Sequence, residues 1–245
     1  MADKQPNRGF FSSLIPRHGN GGGRSAAAAT LEWAEEQRRA MVETQLRRRG
    51  IRDERVLAAM GRMPRHEFVP PQLFPEAYED HPLPIGGGQT ISQPYIVAAM
   101  IEALALQGAE SVLEVGTGSG YEAAVLAALA ARVYTIEYDA ELARTARERL
   151  SRMGLANIVV IEGDGSLGYP AAAPYEGILV AAAAPEIPPR LFEQLTEGGR
   201  LVIPVGRRDW QELRLIRKLD AKPVVTRLGQ CRFVPLLGEH GWEET

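Results

Sequence analysis

The stretch Val112-Leu113-Glu114-Val115-Gly116-Thr117-Gly118-Ser119-Gly120 passes from a short apolar strand into a helix, with glycines where the chain must turn tightly and approach a ligand. A glycine-rich turn alone is weak evidence, but Glu137 closes the next strand about 20 residues on, the spacing at which a carboxylate meets a ribose hydroxyl. An adenosine-type ligand follows. The spacing G-x-G-x-G, with Tyr121 after Gly120, departs from the dinucleotide pattern G-x-G-x-x-G. Glu114 would repel a pyrophosphate and attract the ammonium group of a methionine moiety, whose carboxylate suits the amides at the following helix start. After the third strand, Gly163-Asp164-Gly165 offers an acceptor for an adenine amino group. Singly, a strand-end acid is usually a cap or a loop residue. In this order and spacing, the three loops match the three parts of S-adenosylmethionine.

Working outward, strands and helices alternate. Tyr95 to Leu106 has helical apolar spacing, Ser111 to Val115 is a strand, Tyr121 to Ala131 a helix, and Arg132 to Glu137 a strand. Helix Ala140 to Met153, strands Ile158 to Glu162 and Gly177 to Ala182, helix Pro189 to Leu195 and strand Arg200 to Val205 follow. Such alternation implies an α/β fold with a doubly wound, mostly parallel, Rossmann-like sheet. Glu212 to Lys218 and Cys231 to Leu236 are expected as closing edge strands. Upstream, Thr30 to Arg49 reads as a helix capped by Thr30, acidic early and basic late. Arg47 to Arg49 could grip a phosphate, although a solvated helix end is commoner. A short helix, Glu54 to Gly61, precedes Pro64 to Pro84, which is too rich in proline for a regular element. The organisation expected is a tail, 1–29, then an N-terminal helical and substrate-cleft segment, 30–94, packed on a methyltransferase core, 95–245.

Composition narrows the class. The 245 residues are 45% hydrophobic and 24% charged, with net charge −3, which gives no general attraction to nucleic acid. No run approaches the roughly 18 apolar residues of a membrane span. The single cysteine, Cys231, forms no intrachain disulfide, and the four histidines are too scattered in sequence for a spaced ligand pair, so no metal is expected. The basic tail could be a targeting segment, but Gly9 to Ile15 is a short, serine-interrupted apolar stretch, and a cytoplasmic location is expected.

The segment Leu83-Pro84-Ile85-Gly86-Gly87-Gly88-Gln89-Thr90-Ile91-Ser92-Gln93-Pro94 is unusual for a scaffold. As plain structure, Ser92 would cap a helix and the glycines would be a linker. This run resembles the signature of the protein-L-isoaspartate O-methyltransferases, and the likeness extends over about residues 40 to 240, through Phe68-Val69-Pro70, the glycine loop, Gly163-Asp164-Gly165, Ala182-Ala183-Ala184-Pro185 and Arg232 to Leu236. The resemblance implies methyl transfer from S-adenosylmethionine to the free α-carboxyl of L-isoaspartyl residues in aged proteins. It makes the position of Ser92 the active-site serine and sets Gln89 to Ser92 between cofactor and acceptor. Thr90 joins Ser92 as a hydroxyl that orients the carboxylate. Gln89, Glu114, Gly116, Thr117, Gly118, Glu137, Asp164 and Gly165 are expected to bind the cofactor, with residues 237–242 closing over it. Ala181 stands where many relatives carry threonine. Isoaspartyl peptides are the expected partners, with no nucleic acid or membrane, and the protein is expected as a monomer. The rivals are a methyltransferase with another acceptor, a non-catalytic isoaspartyl-binding adaptor, and a nicotinamide dehydrogenase. The last conflicts with Glu114 and the glycine spacing.

Overall fold

A computed structural model describes residues 26–243. Helix α1 spans Ala26–Ala40, widens into a π turn, Met41–Leu46, and tightens into a 3-10 turn, Arg47–Arg49, before Gly50. It begins four residues ahead of the expected cap Thr30, because the run Ala26-Ala27-Ala28-Ala29 is the best helix-forming sequence available. Residues 1–25 of the expected tail lie outside the described residues. Helix α2, Glu54–Arg62, is capped by Asp53, whose side chain accepts from the Arg55 amide at 2.8 Å. Arg47 pairs with Glu43 and Glu54, and Arg49 pairs with Asp80 at 2.7 Å and lies over the Tyr95 ring. These two arginines therefore brace the N-terminal segment.

Two 3-10 turns, Arg65–Phe68 and Pro71–Glu76, lead into a small antiparallel pair, β1 (Leu83–Gly86) and β2 (Gln89–Ile91). The expected linker is therefore a hairpin: Gly87 and Gly88 take φ of +58° and +71°, the twist that primed two-residue turns need. Helix α3, Pro94–Leu104, starts with proline at its first turn, and Gln93 occupies the cap position without a side-chain bond. Ser92 is thus not the helix cap.

The main sheet holds β3 (Ser111–Val115), β4 (Arg132–Glu137), β5 (Ile158–Glu162), β6 (Tyr175–Val180), β7 (Leu195–Arg207), β8 (Trp210–Leu219) and β9 (Lys222–Cys231). Their order is β5-β4-β3-β6-β7-β8-β9, with β3 to β7 parallel and β8 and β9 antiparallel. Helices α4 (Tyr121–Ala127), α5 (Ala140–Arg152) and α6 (Pro189–Glu193) form the crossovers, α4 ending earlier than the alanine run suggested. The chain reverses direction across the sheet at β3, between β4 and β6, so ligands are received beyond the carboxyl end of β3. The expected edge strand Cys231 to Leu236 is a correction: the ladder is Lys222–Cys231, entered through a turn in which Asp220 and Ala221 both have positive φ. Pro223 is tolerated there because β9 is an edge. The apolar run after Cys231 leaves the ladder and passes Ala183 by a single bridge at Pro235.

One hydrophobic cluster runs from Ala34, Met41 and Leu46 of the N-terminal segment through Met100 and Ile101 of α3 to Val112, Leu126 and Val202 of the sheet layers. Burial of this kind contributes about 25 cal/mol per Å² of apolar surface removed from water. No helix among the described residues is long and apolar enough to cross a membrane.

Candidate active site

The glycine loop leaves β3 with φ of +96° at Gly116, +51° at Gly118 and +87° at Gly120, a path that side-chain-bearing residues rarely follow. Beneath it lies a buried polar chain: Thr117 and Thr135 hydroxyls meet at 2.6 Å, and Thr135 donates to Glu114 Oε2. Glu137, at the end of β4, accepts from the Gly118 amide at 2.7 Å and from the Asp139 amide at 3.1 Å. A carboxylate offers about four acceptor sites, so two remain for ribose hydroxyls. Asp139 caps α5, accepting from the amides of Glu141 and Leu142.

These elements enclose a cavity of about 580 Å³, within the usual range for a small-molecule site. On its wall stand Gln89, Thr90 and Ser92 from the hairpin segment, Gly116, Thr117 and Gly118 from the loop, and Glu137 and Gly165 from the next two strand ends. Eight residues singled out in sequence thus share one cavity. The other two do not reach its wall. Glu114 is wholly buried under the loop. Asp164 turns away and caps the turn Gly165–Leu167: its Oδ1 accepts from the Ser166 amide and hydroxyl, and its Oδ2 accepts from the Glu239 amide at 2.8 Å. Ser166 Oγ in turn accepts from the His240 amide at 3.0 Å. Asp164 and Ser166 therefore tie down the segment that follows residues 234–237, which form the facing wall.

Three residues belong to the site without having been singled out. Tyr138 and Asp139 continue the chain past Glu137 along the wall. Glu122, second residue of α4, is 7% exposed and also lines the cavity. An acid in a first helical turn ordinarily signals the helix dipole, which hid it. Behind the acceptor end, Arg65 is completely buried: Nε donates to Ala77 O and Nη2 to Ser92 O, both at 2.8 Å, and its guanidinium lies 4.9 Å from the Tyr121 ring centre. Nothing in the local sequence marked it. Burial raises the Glu114 carboxyl well above the usual range, and the charge of Glu122 adds to this. Burial raises Glu122 likewise, with Arg65 working the other way.

The site suits S-adenosylmethionine on three counts. A Cβ on Gly165 would overlap Cγ1 of Val115, so the backbone there is as close to the sheet end as it can be. The loop presents backbone and not side chains at Gly116 and Gly118, and the buried acids below are carboxyls that a cationic ligand would help to ionise. Ala181, in the threonine position of relatives, also lines the cavity and would sit 3.5 Å from a Cβ at Gly116. Elsewhere, Glu76, Glu79 and His81 bring ligand atoms together at the surface, with His81 Nε2 bonded to Glu79 at 2.9 Å.

The family profile described as protein-L-isoaspartate(D-aspartate) O-methyltransferase matches residues 36–241. A Koribacter versatilis protein named protein-L-isoaspartate O-methyltransferase is 59% identical over 82% of this chain and 91% of its own length. One of the same name from Methanoculleus marisnigri is 56% identical over 84% and 94%. A solved structure with that name superimposes at a TM-score of 0.73 with 30% identity, covering 84% of this chain and 66% of that one. A candidate protein-L-isoaspartate O-methyltransferase of Plasmodium falciparum, solved with S-adenosyl-L-homocysteine, gives 0.71 with 25% identity, over 82% and 98%. With a matching profile over most of its length and relatives above half identity, the chain belongs to the protein-L-isoaspartate(D-aspartate) O-methyltransferase family.

Proposed function

We infer that this cavity is where the chain, an S-adenosylmethionine-dependent carboxyl methyltransferase, methylates the free α-carboxyl of L-isoaspartyl residues in aged peptides and proteins. The observation that carries the reading is the meeting of Gln89, Thr90 and Ser92 with the glycine loop and Glu137 in one cavity. When bound, S-adenosylmethionine supplies a methyl group activated by a sulfonium sulfur.

In an isoaspartyl linkage the chain continues through the side-chain carboxyl, leaving an α-carboxyl whose ordinary pKa is about 3.5. At neutral pH that group is already the nucleophile, and no side chain has to remove a proton. The residues are left with positioning, which can contribute roughly 7 to 11 kcal/mol. Ser92 and Thr90 orient the carboxylate as hydroxyl donors. Its charge is consumed during transfer, so a firmer grip, such as an arginine fork, would stabilise the ground state. Arg65 sets Ser92 by holding its carbonyl. Glu137 receives the ribose hydroxyls, Gly116, Thr117, Gly118 and Gln89 border the methionine end, and Gly165 borders the adenine. Asp164 holds the wall of residues 234–237 in place. The neighbouring amide nitrogen then attacks the ester carbonyl, losing its proton and expelling methanol, a better leaving group than the oxide of a free carboxylate, and closes a succinimide whose hydrolysis returns some normal aspartate.

We further propose a monomer acting in the cytoplasm on flexible peptide segments, with neither nucleic acid nor membrane as a partner. The pairing of Arg47 and Arg49 with carboxylates supports this by withdrawing two cations from any phosphate. The reading is tested with an isoaspartyl peptide whose α-carboxyl is amidated. It should accept no methyl group while the free acid does, and equal methylation of both would exclude the α-carboxyl as the acceptor.

A further inference from the structure

Two acids under the glycine loop have no role in the positioning just described. Glu122 lines the cavity at 7% exposure, its Oε1 has no hydrogen-bond partner, and no ion pair reaches it among the described residues. Glu114, fully buried behind it, gives Oε2 to Thr135 and leaves Oε1 unpartnered. An acid in the first turn of a helix usually turns outward to its N-terminal amides. Glu122 instead is buried, near enough to a second acid, Glu114, for their charges to oppose each other. Two buried carboxylates with orphaned oxygens are costly unless a proton or a cation satisfies them.

The groups facing the pair are few. Glu137 at the end of β4 adds negative charge to Glu114. From the turn Arg65–Phe68, Arg65 exerts a favourable field on Glu122; its Nε and Nη2 are committed to Ala77 O and Ser92 O, and its Nη1 is buried without a partner and forms no ion pair with Glu122. Tyr121, next to Glu122, is buried with its hydroxyl unpartnered. Among the described residues no cation comes within ion-pair distance of either carboxylate, and Glu122 lines the cavity.

We propose that Glu122, backed by Glu114, receives the cationic methionine end of the cofactor, and that the pair releases a shared proton to solvent when that cation enters. This rests on the cavity being the S-adenosylmethionine site. Two positive groups could satisfy the pair: the α-ammonium, common to cofactor and product, and the sulfonium, which the cofactor alone carries. A carboxylate facing the sulfonium would favour cofactor over product and hasten product release.

The full chain and its E122Q variant are titrated calorimetrically with S-adenosylmethionine, S-adenosylhomocysteine and 5′-methylthioadenosine, each in two buffers of different ionisation enthalpy. The amide keeps the shape and removes the charge. E122Q should weaken S-adenosylmethionine about tenfold, leave methylthioadenosine unchanged and reduce the protons released. Equal weakening of S-adenosylhomocysteine identifies the ammonium as the partner, and a smaller effect identifies the sulfonium. Wild-type affinity for all three, or uniform weakening that includes methylthioadenosine, overturns the proposal. Failure of the unaltered chain to bind any of the three overturns the cofactor reading itself. If E122Q does not fold, E114Q is held to the same order of effects, and its uniform behaviour across the three ligands is equally fatal.

Discussion

Replacing Gly238 with alanine should open the wall of the cavity without unfolding the protein. Gly238 has φ +129°, a conformation that costs alanine about 1–3 kcal/mol. The added Cβ would lie 2.6 Å from Oδ2 of Asp164 and nearer still to the rest of that carboxylate, the group that holds the Glu239 amide. Displacing it forfeits a hydrogen bond to a charged acceptor, about 1.5–3 kcal/mol, and loosens the His240 amide from Ser166, about 0.5–1.5 kcal/mol. The segment has other anchors: Trp242 Nε1 donates to Ala183 O at 3.1 Å and the Trp242 amide to Leu236 O at 2.7 Å. The loss therefore appears as local opening and not as global unfolding. Cofactor binding needs the wall of residues 234–237 closed, so apparent affinity falls by the fraction of molecules that remain closed. We expect S-adenosylhomocysteine to bind about 10- to 100-fold more weakly by calorimetry, roughly 1.4–2.7 kcal/mol. The ligand-free melting midpoint should move by less than about 4 °C. Amides 239 and 240 should exchange faster with deuterium. Binding within twofold of wild type, with those amides still protected, would refute the latch.

Two glycines of one motif should behave oppositely. At Gly165 an added Cβ overlaps buried Val115, so G165A should cost about 1–3 kcal/mol by denaturant unfolding. At Gly163 nothing lies within 4 Å, and G163A should be near neutral; equal effects would contradict the packing described. If Ser92 donates to the acceptor carboxylate as proposed, S92A should lower kcat about 10- to 100-fold and leave affinity for S-adenosylhomocysteine unchanged. Unchanged turnover in a folded S92A protein would withdraw Ser92 from its role. E122Q also predicts a pH effect on stability. The folded Glu122 carboxyl titrates above its unfolded value of about 4.3, so the native state retains a proton that the unfolded chain loses, and stability declines as pH rises above about 4.3. The ligand-free E122Q variant should gain in melting midpoint over wild type between pH 5 and pH 8. A constant difference across that range would mean Glu122 is not held protonated.

Much of the architecture was legible because apolar runs and turns alternate at βαβ spacing from Ser111 onward, and because the loop residues follow one another in the order of the ligand's parts. The hairpin of β1 and β2 was not legible: Gly86-Gly87-Gly88 resembles a linker unless the positive φ at all three positions is known. The edge strand was displaced for a related reason, since Asp220-Ala221 lacks the glycine that usually marks such a turn, while the run after Cys231 is apolar because it packs against the sheet end near Ala183. In the site, residues that local loops bring to the cavity wall were visible, including Gly116, Glu137 and Gly165. Partners fixed by long-range contact were not. Asp164 stood out as part of Gly-Asp-Gly, but its bond to the Glu239 amide spans 75 positions, and Arg65 reaches Ser92 across 27.

The central claim is selectivity for an isoaspartyl carboxyl, and it is tested most directly by offering methyl-labelled S-adenosylmethionine with paired peptides that differ only in an isoaspartyl or a normal aspartyl linkage. The account predicts base-labile methyl ester on the isoaspartyl peptide alone. Equal labelling of the two, or no label on the isoaspartyl peptide, would contradict it.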